Sequence, residues 1–331
     1  MAITLIRLIQ SKLATGLFIA IALLSFSSSA LSSEGNALVL TAKGDEFAKV
    51  IQGLSDDIEG ELEFKTFYIN RESSTDVIED GMKKFSPKVV ILIGNTSINL
   101  YTKFQKANPK MQFPPSIALA ALFVDRFIDD IKNATGIRYE IPAVISLINM
   151  RDIIKKPLKS VGVVHREWMD SIIEENRKYL SAEGIKLISI KLPNKTSNMN
   201  KKLDEAVVEL VDKKVDAIWV LNDNELLNGR SIGQVWIPKL AKTDIPVLVG
   251  VRPLLNTKFN FGSFAIVPDH YALGVQGASI VFELMDNDWD LDGRDISQPI
   301  SVKKVVNVSV LDNKSIPYDK GKLQTVDEVV K

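Results

Sequence analysis

The stretch Val215 to Asn224, VDAIWVLNDN, constrains this chain most. Its apolar run leaves Asp216 and stops at a polar cluster, Asn222-Asp223-Asn224. An uninterrupted run rich in Val and Ile predicts a strand buried on both faces. Such strands belong to parallel sheets, which place ligands just beyond their carboxyl ends. A second copy lies upstream: Lys88 to Ser97, KVVILIGNTS, ends in Asn95-Thr96-Ser97. Two α/β halves, each with polar residues at a strand end, predict two lobes facing one cleft.

The remaining pattern alternates. Strands are expected at 37–41, 64–69, 89–93 and 116–122, with helices at 45–58, 73–85 (capped by Ser73 or Ser74) and 96–106. Thr135-Gly136-Ile137 reads as a short strand leaving this half. The pattern then restarts, with strands at 159–164, 186–190, 215–221, 245–249 and 262–267. Helices fall at 169–183, 200–213, 231–242 and 269–285, with Pro238 a kink in the third. A last strand covers 302–310, and the tail after Pro317 is polar and peripheral. A βαβα series of this kind folds as parallel sheets with right-handed crossovers.

The N-terminus reads as an export signal. Arg7 and Lys12 precede an apolar core at 13–26, and Ser28 and Ala30 supply small residues before a cleavage point after Ala30. The alternative is an uncleaved anchor, but the core is shorter than the ~20 residues of a spanning helix. Removing residues 1–30 leaves 39 basic against 41 acidic residues, a net charge of −2. That balance offers nothing basic enough for nucleic acid. Cysteine is absent, which excludes disulfides, thiolate metal sites, cysteine nucleophiles and a lipidated N-terminal Cys.

Catalytic signals are poor. His165 and His270 are the only two histidines. There is no Gly-x-Ser-x-Gly elbow, phosphate-binding Gly-rich loop or dinucleotide fingerprint, so no catalytic residue and no cofactor is expected. His165 ends a predicted strand and is at most a ligand contact or a loop histidine. Asp288-Trp289-Asp290-Leu291-Asp292-Gly293 matches the first half of a calcium loop, but the twelfth position, which needs a bidentate Glu, is Pro299. It reads as an acidic turn, and no metal is expected.

The strand ends carry better binding chemistry. Thr96 and Ser97 open a helix, where free N–H groups and two hydroxyls make an anion seat or a plain N-cap. Asp223 is either an acceptor for a ligand ammonium or a turn-capping residue. Arg252, just past the strand at 245–249, can hold a carboxylate bidentately. Arg166 and Trp168 follow the strand at 159–164, with Trp168 a stacking wall or a packing residue. An anion seat on one lobe and an acid on the other suits a zwitterion such as an amino acid.

Several of these residues recur in a known pattern. They are Thr135-Gly136-Ile137, Lys159 to Val164, Val215 to Ile218 running into Asn222-Asp223-Asn224, Ile245-Pro246-Val247, and Asp269-His270-Tyr271-Ala272-Leu273-Gly274-Val275-Gln276. The chain resembles the ABC-transporter substrate-binding family of the type I periplasmic binding fold, the group with tryptophan/tyrosine-type binding proteins. The likeness is clear from about 135 to 311. It implies an α/β fold of two Rossmann-like lobes with parallel sheets joined by a multi-strand hinge. The implied lobes are 31–139 with 268–298, and 140–267 with 299–331, joined by crossings near 138–141, 267–269 and 298–301. The family's ligand positions fall on Thr96, Ser97, Asp125, Asp223 and Asn224. The chain departs from the family at Arg126, where a Pro is usual, and at Lys132-Asn133-Ala134, where Pro-Gly-Gly is usual.

The resulting expectation is an exported, monomeric, non-catalytic protein. It binds a small amino-acid-like or carboxylate ligand and delivers it to an inner-membrane ABC permease. The rival readings are a ligand sensor partnered with a signalling receptor such as a kinase, and an α/β enzyme.

Overall fold

The computed structural model describes residues 35–331, and the expected export signal with its cleavage point after Ala30 lies outside them. Two sheets organise the chain. The first has five parallel strands in the order β2-β1-β3-β4-β5. These are β1 (Gly35–Thr41), β2 (Leu62–Tyr68), β3 (Val89–Ile93), β4 (Ser116–Leu119) and β5 (Ala134–Gly136). Every residue of β3 is buried, as its apolar run requires when helices cover both faces. Helices α1 (Asp45–Ile58), α2 (Asp76–Phe85) and α3 (Asn95–Ala107) connect the strands.

The second sheet has seven strands in the order β12-β11-β10-β9-β8-β6-β7. They are β6 (Ser160–Arg166), β7 (Lys186–Leu192), β8 (Ala217–Val220), β9 (Val247–Val249), β10 (Phe264–Pro268), β11 (Val302–Asn307) and β12 (Glu328–Val330). Helices α4 (Ala143–Ile153), α5 (Asp170–Ala182) and α6 (Met199–Asp212) cover it. Helix α7 (His270–Asp286) leaves this sheet and packs against α1 of the first. Its contact needs two glycines. A Cβ on Gly53 would lie 2.0 Å from the Tyr271 carbonyl oxygen, and one on Gly274 would lie 2.1 Å from that of Val50.

Three segments link the halves side by side. The Arg138 N–H donates to Ser297 O at 2.9 Å, Ser297 N–H to Gly136 O at 3.0 Å, and Asp269 N–H to Ser301 O at 3.1 Å. The Gln276 side chain fastens the third segment, donating to Gln298 O at 2.8 Å and accepting the Ile300 N–H at 3.1 Å.

The structure departs from the sequence reading in five places. Helix α4 was not anticipated. Strand β11 runs antiparallel to β10, so the second sheet is mixed. The last strand stops at Asn307, whose side chain accepts the Val310 N–H at 3.0 Å and starts helix α8 (Val308–Asn313). The C-terminal tail is not peripheral: β12 pairs in parallel with β11, and Arg252 pairs with Glu328. The kink expected at Pro238 is a π-turn at Ile232–Trp236 within the helical stretch 229–240, with Pro238 in the first turn of the α-helical piece Ile237–Leu240. A proline lacking an N–H is tolerated there.

Candidate functional site

A cavity of about 570 Å³ lies between the two halves, open toward strand ends of both sheets. Its wall on the first side is the turn after β4. Asn95 shapes that turn from the start of α3: its amide donates to Leu122 O at 2.7 Å and its carbonyl accepts the Leu122 N–H at 2.9 Å. Phe123 then takes a left-handed φ of 54°. Its N–H donates to both oxygens of Glu140, at 3.1 and 3.0 Å. Glu140 sits on the first crossing segment. Burial raises its carboxyl to about 7 against the ordinary 4.5; the Phe123 N–H and Arg138 oppose the shift, and Asp125 adds to it. Two residues earlier, the Arg138 Nε lies 2.8 and 2.9 Å from the two oxygens of Asp125.

The second side presents Trp168, in the turn after β6. Its backbone N–H donates to the Asn194 side chain at 2.9 Å. Its ring meets the first side directly. Phe123 approaches edge-on at 5.1 Å between centroids and 89° between planes, and the Arg126 guanidinium lies 4.2 Å above the ring. Further in, β8 and β9 end at the cavity with Trp219 and Asn222 and with Gly250. A Cβ on Gly250 would lie 2.6 Å from the Asn222 amide nitrogen, so glycine lets that side chain lie across the strand end. Among the described residues, two buried polar atoms of this wall have no hydrogen-bond partner: Trp168 Nε1 and Asn222 Oδ1. Buried polar atoms are nearly always satisfied, so such a pair at a cavity is suited to a ligand.

No family model and no curated protein matches the sequence. Solved structures do match the fold. An ABC domain from Streptococcus pneumoniae in complex with L-Trp is similar with a TM-score of 0.60 at 17% identity, over 90% of this chain and 100% of that one. The ligand-free, open form of a substrate binding protein with adhesive properties from Clostridium difficile gives 0.65 at 13%, over 90% and 99%. A branched chain amino acid ABC transporter periplasmic ligand-binding protein from Burkholderia xenovorans gives 0.50 at 12%, over 78% and 80%. This chain has the type I periplasmic-binding-protein fold. The cavity lies between the two halves of that fold.

Within this periplasmic-binding-protein fold, two of the eight residues singled out from the sequence line the cavity, Asp125 and Trp168. The other six do not. Ser97 is buried with its hydroxyl 2.8 Å from the carbonyl oxygens of both Leu40 and Ile93, tying β1 to β3. Thr96 beside it is half-buried and stays with α3. Asp223 is buried and bidentate to Arg166, at 2.6 Å to each oxygen, while Arg166 also donates to Asn194 O at 2.7 Å. Asn224 is exposed, and Arg252 faces Glu328 of β12. The anion seat and the acid expected to flank a zwitterion are therefore not brought together.

Four more residues line the cavity: Asn222, read from the sequence only as part of the polar cluster, Arg126, noted only as a departure from the family, and Arg138 and Glu140, not proposed as contacts at all. The signal for Arg138 and Glu140 was their placement: charged residues alternating with Ile137, Tyr139 and Ile141 in a crossing segment. The two histidines serve other contacts. His165 Nε2 lies 3.0 Å from Asp170. His270 bridges Tyr139 and Glu46 at 3.2 and 2.8 Å. Burial lowers the pKa of both rings. The acidic turn at 288–293 closes on itself, with Asp290 accepting the Asp292 N–H at 3.1 Å.

Proposed function

We propose that the protein is an exported solute-binding protein that closes on one small organic ligand and delivers it to an inner-membrane ABC permease. The observation that carries this reading is the cavity itself. It has drug-sized volume, aromatic walls, a few polar groups, and lining residues from both halves. Trp168 meeting Phe123 and Arg126 across the opening is the kind of contact that a closed form makes and an open form lacks. Asp125 and Trp168 are the ligand contacts carried over from the sequence. Arg126, Glu140 and Asn222 complete the set. The amino-acid-like or carboxylate class suits a cavity that combines aromatic rings with fixed charges.

A thermal-shift screen of the mature protein against amino acids, organic acids and small amines tests the reading, with calorimetry on the compounds that stabilise it. At least one compound is expected to bind with one-to-one stoichiometry and to lose affinity in Trp168→Ala. A screen in which no compound of any class binds refutes the binding role.

A further inference from the structure

We infer that the cavity selects an organic acid, a molecule with a carboxylate and no ammonium group, and that Arg126 is the residue that reads the carboxylate. The inference rests on the binding-protein reading above and narrows it.

Arg126 is the cation of the site that has no carboxylate partner. Its guanidinium touches only ring faces, Trp168 at 4.2 Å and Phe127 at 6.0 Å, and meets no carboxylate among the described residues. A guanidinium carries five donors and binds carboxylates in a bidentate fork. The ring beneath it adds one more donor, since Trp168 Nε1 has no partner. The two donors come from opposite sides of the cavity, so one carboxylate reaching both would draw the halves together.

Two of the cavity's three acids are held by donors. Asp125 is held by Arg138. Glu140 takes the Phe123 N–H on both oxygens. The third, Glu175, is exposed and accepts only the Tyr179 hydroxyl at 3.1 Å, so solvent screens its charge. Asp223, the acid expected to take an ammonium, is turned onto Arg166 and lines no part of the cavity. An ammonium presents three donors and needs as many acceptors. Among the described residues, the one fully buried acceptor of this wall without a partner is neutral, Asn222 Oδ1. It suits one hydroxyl or amide N–H on the ligand. Phe123, Trp168 and Trp219 suit an apolar or aromatic body between the two polar ends.

A matched series separates the charges. Phloretate is tyrosine without its ammonium group, tyramine is tyrosine without its carboxylate, and phloretamide carries neither charge. Calorimetry at neutral pH compares these three and tyrosine on the mature protein and on Arg126→Ala, an exposed site where an unchanged melting temperature is expected. Phloretate is expected to bind more tightly than tyrosine or tyramine. Arg126→Ala is expected to weaken phloretate roughly 10-fold or more, as for a charge-assisted bond, and to leave phloretamide unchanged. Tighter binding of tyrosine or tyramine, or equal loss of phloretate and phloretamide in the variant, overturns the inference while leaving the binding role standing. If the broader screen yields a different acid, that acid replaces phloretate in the Arg126 comparison. A non-acid ligand overturns the inference alone, and no ligand of any class overturns both readings.

Discussion

At the scale of single residues, two carboxylates behave differently, one lining the cavity and one bracing a strand end. Glu140 is buried beside the Phe123 N–H with its pKa raised to about 7. A raised carboxyl means that the fold holds the proton more tightly than the unfolded chain. Its stabilising effect is therefore present below pH 4.5 and is lost as pH climbs through about 7. The swing is at most about 3 kcal/mol. Glu140→Gln keeps an acceptor for Phe123 but does not titrate. Its melting temperature should gain on the wild type between pH 5 and 8, and a difference independent of pH would refute the assignment. Asp223 works differently. Its carboxylate is bidentate to Arg166 and also accepts the Glu225 N–H at 3.0 Å. Asp223→Ala leaves a partly buried guanidinium without its partner, which should cost about 3 kcal/mol in urea unfolding. A cost below about 1 kcal/mol, the scale of surface pairs, would mean that Arg166 finds solvent freely. The position of Asp223 at a strand end was legible in the sequence. Its partner was not, because Arg166 lies 57 residues away and nothing local marks two strand ends as neighbours.

At the scale of elements, the motif from Asp269 to Gln276 acquires physical reasons. Asp269 accepts the Tyr271 N–H at 3.1 Å and caps α7. Gly274 lets α7 lie directly on α1, and Gln276 fastens the third crossing. Gly274→Ala puts a methyl group against backbone atoms that cannot swing aside. It should destabilise by about 1–3 kcal/mol or more. Gly233→Ala, where a Cβ meets nothing within 4 Å, is the control and should be neutral or slightly stabilising. Equal melting temperatures for the two variants would show that the α1–α7 contact is soft. The strands were legible because long apolar runs bounded by turn residues have few other readings, and β3 was read to the residue. Helix α4 was missed because its buried face, Ala143, Ser146, Leu147, Met150 and Ile153, includes a serine, while Val144, Ile145 and Ile148 lie off it and blur the stripe. Strand β12 was missed because Glu328-Val329-Val330 is too short to stand out, and only β11 gives it a reason to extend.

At the scale of the whole molecule, three hydrogen-bonded crossings set side by side favour bending about one axis over twisting. Ligand saturation should therefore lower the radius of gyration measured by small-angle scattering. A ligand shifts that balance only by its preference for the closed form, and about 5.5 kcal/mol carries it from 1:99 to 99:1. An unchanged radius at saturation would leave a rigid scaffold. The same interleaving has a consequence for biosynthesis. Helix α1 ends at Ile58, but α7, which covers its buried face, is complete only at Asp286. At about 5–20 residues per second, translation delivers α7 roughly 11 to 46 seconds after α1. For that interval Val50, Leu54 and Ile58 wait without their partner helix, while the intervening strands can already assemble their own sheet. Nascent chains halted before α7 should thus be cut by protease within 45–58 more readily than chains that include it, and equal cutting would show that α1 is protected without α7.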